Sequence, residues 1–124
     1  PGGGGLRGQP RMSCGPTRGR GGARAFYRDA LGLPLVAEDE FGVVFDVGGV
    51  TLRVTDIADW QPHPHTLFGW RVEDIAASAR ELAARGVTFN VYPGFGQDEL
   101  GVWSASDGGA RIAWFNDADG NVLS

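Results

Sequence analysis

Lysine is absent from this chain, cysteine and methionine occur once each, and the apolar residues never gather into a long run. Each shortage excludes something. A lone cysteine, Cys14, leaves no internal disulfide and fits a reducing, cytoplasmic compartment. Without a stretch of about 18 apolar residues there is no candidate membrane span, and without an apolar h-region no signal peptide is expected. Eleven arginines against fifteen acids give a formal net charge of −4. The basic stripe of a nucleic-acid-binding face is therefore missing. Neither nucleic acid nor membrane is expected as a partner.

What is present is unevenly spread. Residues 1–22 hold nine glycines, three prolines and four arginines (Arg7, Arg11, Arg18, Arg20) with no acid. Such a segment buries too little to offset its ordering entropy. It is expected to be a low-complexity head, disordered or an artefact of a wrong start or shifted reading frame. The other seven arginines and all fifteen acids fall in residues 23–124, expected to form one domain.

Within that domain the chain repeats itself. Ala23, Phe26, Tyr27, Ala30 and Leu31 share one helical face, and Gly32 supplies a left-handed stop. Ile75, Ala79, Leu82 and Ala83 do the same before Gly86, with Asp74 as N-cap. Short strand-like runs follow each helix. In the first copy these are Leu35–Glu38, then Gly42–Val47 and Val50–Thr55 as a hairpin across Gly48-Gly49. The second copy opens with a strand over 66–72, and continues with strands over 87–92, 111–115 and 121–124. A Pro-rich linker, 59–64, joins module one (about 23–58) to module two (about 66–124). Two alignments of the copies compete. One matches GVTLRV (Gly49–Val54) to GNVLS (Gly120–Ser124), the other matches FGVVFDVGG to LGVWSASDGG.

FYRDALGL (Phe26–Leu33), WRVEDIAAS (Trp70–Ser78), ARGVTF (Ala84–Phe89) and AWFNDADGNVL (Ala113–Leu123) together resemble the vicinal oxygen chelate superfamily. That group holds glyoxalase I, extradiol dioxygenases, fosfomycin-resistance enzymes and bleomycin-binding proteins. The resemblance spans about Ala23–Ser124, and DxDGN after an aromatic strand is its most specific piece. It implies an α+β fold of paired βαβββ modules, a curved, cup-like mixed sheet with helices outside, and commonly a homodimer. It also selects the first alignment, with 93–109 as an insertion. Two features depart from the pattern. Residues 10–22 do not read as the strand that should precede the first helix, so that strand is expected to be missing or replaced. The last strand stops at Ser124, where relatives usually continue.

Metal-dependent members of that superfamily place His, Gln or Glu at four inward positions, on the first and last strands of each module. The resemblance puts Arg53, Leu67 and Ser124 at three of them and finds no equivalent for the fourth. A guanidinium, an isobutyl group and a hydroxyl do not make a divalent site. No metal or other cofactor is expected. The weaker metal candidates are His63 and His65, two apart on an extended segment and expected near Asp98 and Glu99. No catalytic residue stands out: Cys14 has no partner to activate it, and Asp98 and Glu99 read as solvated loop acids.

Alternation along the strands gives the expected ligand face. Leu67, Gly69 and Arg71 should point inward, with Phe68, Trp70 and Val72 under the helices; Thr51, Arg53 and Thr55 should join from module one. The resemblance puts Trp114 in the apolar part of the pocket, and Trp103 could close its mouth. Arginine binds carboxylate or phosphate in a bidentate fork, so this set suits a flat or apolar molecule carrying an anionic group. The plainer alternative pairs Arg53 and Arg71 with acids such as Asp46 or Glu73. Three functions compete: metal-independent small-molecule binding, a metal-dependent lyase or dioxygenase, and a non-catalytic dimeric interaction domain. Retained metal would favour the second, ligand quenching of tryptophan fluorescence the first, and neither the third.

Overall fold

The densest β-branched pattern in the chain lies at the centre of its first sheet. In the computed structural model, which describes residues 6–124, β3 (Gly42–Val47) and β4 (Val50–Asp56) pair antiparallel. Gly48 and Gly49, with φ of 58° and 88°, make the tight turn between them. β2 (Leu35–Glu38) flanks β3, and β1 (Met12–Thr17) runs parallel to β4, giving the order β1-β4-β3-β2. Residues 1–5 of the expected head lie outside the described residues.

A strand at Met12–Thr17 corrects the expectation of a missing first strand and of a structureless head through residue 22. MSCGPT has poor strand propensity, but tertiary partners override it. The ladder partner is the β-branched β4, in register from Met12 opposite Thr51 to Thr17 opposite Asp56. Pro16 costs no ladder bond that matters, because β1 is an edge strand. Beyond the ladder, Thr17 is fully buried and bonded to module two, as described below.

The first helix also begins earlier than the apolar pattern suggests. α1 (Arg20–Arg24) runs directly into a π-helical segment, Ala25–Ala30, in which the Leu31 N–H donates to the Phe26 carbonyl. Ala23 and Tyr27 are buried against the sheet with Val43, Phe45, Leu52 and Val54, and Phe26 and Leu31 pack beside them. Arg20 reaches Asp56 and Glu38, and Arg18 reaches Asp119, so two of the head's arginines are absorbed by ion pairs; Arg24 shares Glu38.

Module two repeats the same plan in shorter pieces. β5 (Thr66–Phe68) runs parallel to β9 (Val122–Leu123), and β9 is antiparallel to β8 (Phe115–Asn116), in the order β5-β9-β8. Phe89 bridges Phe115 where β2 flanks β3 in the first sheet. β9 thus holds the place of β4, which decides for the alignment of GNVLS with GVTLRV. The strand expected over 87–92 is reduced to that single bridge, because Pro93 and the left-handed Gly94 turn the chain away. The strand expected over 111–115 is split: β7 (Arg111–Ile112) pairs with β6 (Trp103–Ser104) in a separate hairpin before β8 begins.

α2 (Ile75–Ala84) is capped as expected, the Asp74 carboxylate accepting from the Ala77 N–H at 3.0 Å. Its buried face is narrower than expected: Ala79 is buried, Leu82 half-buried, and Ala83 exposed. Among the described residues no helix is long and apolar enough to cross a membrane.

The two modules are joined by a buried polar network built on the DADGN turn. The Asp117 carboxylate accepts from the N–H groups of Asp119 and Asn121, from the Asn121 side chain, and from the Tyr27 hydroxyl at 2.7 Å. Asp119 accepts from the Thr17 hydroxyl and the Arg18 N–H. Asn121 donates to the Pro16 carbonyl and accepts from the Trp60 indole at 2.7 Å. One turn of module two therefore fastens β1, the first helix and the linker. No buried side-chain polar atom among the described residues is left without a partner, as buried polar groups require.

Candidate ligand-binding site

Strand alternation separates Trp114 from Phe115. Phe115 is buried with the core, in contact with Phe89 and Trp70, while Trp114 is half-buried on the opposite face. Around Trp114 gather Tyr92 at a ring-centroid distance of 5.6 Å, Phe95 at 6.0 Å and Trp103 at 6.3 Å, the first two edge-on. A cleft of about 280 Å³ opens beside Tyr92, Phe95 and Trp114, completed by Pro64, His65, Thr66 and Val122; Trp103 stands behind Trp114 and does not line it.

The insertion between residues 93 and 109 is ordered by one side chain. Gln97 accepts from the Tyr92 N–H at 2.7 Å and donates to the carbonyls of Asn90 and Gly101, both at 2.8 Å. Asn90 is itself tied to Asn116 on β8 and by its N–H to the Trp114 carbonyl. These bonds hold Phe95 and Trp103 over Trp114. Phe95 remains about half exposed, so a large apolar wall faces solvent.

His63 and His65 lie at the edge of this wall. Their rings are 5.4 Å apart, and His63 packs edge-on to Trp60, also at 5.4 Å. The two lie side by side on one face, as the spacing of two on an extended segment implies. The expected acids do not complete them: Asp98 spends its carboxylate on the N–H groups of Leu100 and Val102 in its own turn. No group of three metal-binding side chains occurs among the described residues.

The other expected site residues are dispersed. Arg53, half-buried on the helix-free face of β4 opposite Cys14, bonds Asp39 at 2.9 Å and lines neither this cleft nor the second cavity described next. That guanidinium holds the Asp39 carboxyl below its ordinary value, with the N–H groups of Phe41 and Gly42 adding to the effect. The plainer reading of Arg53 as an ion-pair partner thus holds, with Asp39 in place of Asp46. Leu67 does not face the cleft: it packs against the core, while Thr66 lines the opening. The cause is the register shift between Thr66 and Phe68, which breaks the simple alternation. Arg71 and Ser124 come together, but at a second cavity of about 430 Å³ beneath α2. The sequence reading missed Tyr92 and Phe95. Alternation along the strand expected over 87–92 sets Tyr92 on the face opposite Phe89, which was signal enough to find it; Phe95, in the insertion, carried no periodic signal.

The model of the glyoxalase/bleomycin resistance protein/dioxygenase superfamily matches residues 21–124. The chain belongs to that superfamily. Solved structures in it share the architecture. A bleomycin resistance determinant encoded on the transposon Tn5 is 21% identical with a TM-score of 0.71, covering 93% of each chain. A glyoxalase/bleomycin resistance protein/dioxygenase from Alicyclobacillus acidocaldarius is 19% identical with a TM-score of 0.70, covering 94% of this chain and 88% of its own. A glyoxalase/bleomycin resistance protein from Streptomyces sp. CB03234 is 23% identical with a TM-score of 0.62, over 93% and 96%. At such identities the likeness is one of fold, and the superfamily hosts several chemistries on that fold. No curated protein matches the chain.

Proposed function

We propose that this superfamily member binds a flat aromatic or apolar small molecule, without metal and without catalysis, on the face built by Trp114, Trp103, Tyr92 and Phe95. The observation that carries the reading is the aromatic wall itself: three rings, Tyr92, Phe95 and Trp103, whose centroids lie 5.6–6.3 Å from that of Trp114, exposed at Phe95 and held by Gln97. Rings offer large stacking area at small conformational cost, and a cleft with few polar groups selects by shape. The donor chemistry at three of the superfamily's four metal positions supports the metal-free reading. Arg53 is engaged by Asp39, Leu67 is packed in the core, and Ser124 offers a lone hydroxyl. An anionic group on the ligand would find no free guanidinium among the residues lining this cleft. Homodimerisation and a cytoplasmic location belong to the same proposal.

Titration of an aromatic compound series against intrinsic tryptophan fluorescence tests the reading. Quenching is expected in the native protein, with affinity reduced about tenfold or more in Trp114→Ala, since a truncated aromatic anchor costs about 1–3 kcal/mol or more. Gln97→Ala should weaken binding by loosening the wall. Near-stoichiometric zinc, nickel, manganese or iron retained after dialysis would overturn the metal-free part. An absence of quenching across the series would overturn the binding part and leave an interaction domain.

A further inference from the structure

α2 does not close on the sheet beneath it. Ile75, Ser78, Ala79, Leu82 and Arg85 recur on one side of the helix and line the 430 Å³ cavity. At the middle of this face stand Ser78 and Ala79, too small to fill the space, and Ala113 lies on the far wall. The floor is aromatic: Trp70 stacks on Phe115 at 6.3 Å and 17°, and Phe89 meets Phe115 edge-on. A volume of this size lies in the range of small-molecule pockets, about 300–1,000 Å³. It is on the helix side of the sheet, away from the aromatic wall around Trp114.

The charges at its mouth are asymmetric. Glu81 is engaged by Arg85 at 3.1 Å, and the Arg85 guanidinium lies across Gly32, where a Cβ would come within 2.4 Å of it. Arg71 is exposed, lines the cavity, and makes no ion pair or hydrogen bond among the described residues. The one acid is thus paired with one cation, which also lies against the Gly32 turn, and the other cation has no partner among the described residues.

We propose that this cavity is a second binding site, for an amphipathic monocarboxylate with an unbranched apolar body. The body lies on Trp70, Phe89 and Phe115, and the carboxylate meets Arg71, whose fork accepts it in bidentate fashion. The site does not depend on the reading of the Trp114 face.

Decanoate is the probe, with 1-decanol as the neutral control, titrated calorimetrically into the full chain. Native protein should bind decanoate about tenfold more tightly than decanol. Arg71→Ala should abolish that preference while leaving decanol affinity unchanged, and Ser78→Phe should block both ligands. Trp114→Ala should change neither, which separates failure of this site from failure of the other. Indole NMR signals of the four tryptophans give a readout that needs no variant at the cavity: decanoate should move Trp70 and leave Trp103 and Trp114 in place. Absence of decanoate binding, an unchanged preference in Arg71→Ala, or movement of Trp114 rather than Trp70 would each overturn the proposal.

Discussion

Tyr27 shows how one side chain can belong to both modules. Its ring is buried in the first, against Phe45 and Phe68, while its hydroxyl donates to Asp117 in the second. Burial, reinforced by the Asp117 charge, pushes its ionisation well above the ordinary 10.0. A folded-state value raised above the unfolded one means stability that is full below about pH 10 and lost as pH rises beyond it. Tyr27→Phe should cost about 1.5–3 kcal/mol in denaturant unfolding at neutral pH, the usual worth of a hydrogen bond to a charged group. The same variant should flatten the alkaline decline. Asp39 works in the opposite sense. Arg53 depresses its value, so its small contribution is present above the ordinary carboxylate range and lost on acidification through the folded value. In Arg53→Ala the NMR titration of Asp39 should move up toward 3.8 without reaching it, because the N–H groups of Phe41 and Gly42 remain.

Among the elements, β1 depends most on context. Its sequence carries almost no strand signal; its place comes from β4 and from Asp119 and Asn121 about a hundred residues away. Removing residues 1–10 should leave the thermal midpoint nearly unchanged, since residues 6–10 are exposed. Removing 1–17 should yield aggregated or unfolded protein, because it bares the β4 edge and strips Asp119 of the Thr17 hydroxyl. This contrast explains what was legible beforehand. The helices, the β3–β4 hairpin, the linker and the repeat were visible because their signals are local: periodicity, a Gly-Gly turn, an N-cap Asp. The π-helical widening at Ala25–Ala30, the shift at Thr66–Phe68 and β1 itself are settled by distant partners. The placing of Leu67 and Arg71 follows directly, since alternation predicts a facing only while the register holds; Arg53 keeps its expected face and is drawn to Asp39. Trp103 and Trp114, which do meet, belong to one local unit, Trp103 on β6 and Trp114 just past its partner β7.

For the molecule as a whole, the two cavities lie on opposite faces of module two's sheet and share no lining residue. Losses measured in Trp114→Ala and Arg71→Ala should therefore add within about 0.5 kcal/mol in a double-mutant cycle, as distant sites do. A further consequence follows from the DADGN turn. The Thr17–Asp119 and Pro16–Asn121 bonds close loops of 102 and 105 residues. On a ribosome the segment they secure is made about a hundred residues before its fastening, so until that turn emerges β1 has only the β4 ladder to hold it. Such long-range closure is a slow, late step in folding. A nascent chain that stops short of Asp117 should then remain sensitive to protease, and resistance should rise once the DADGN turn has emerged.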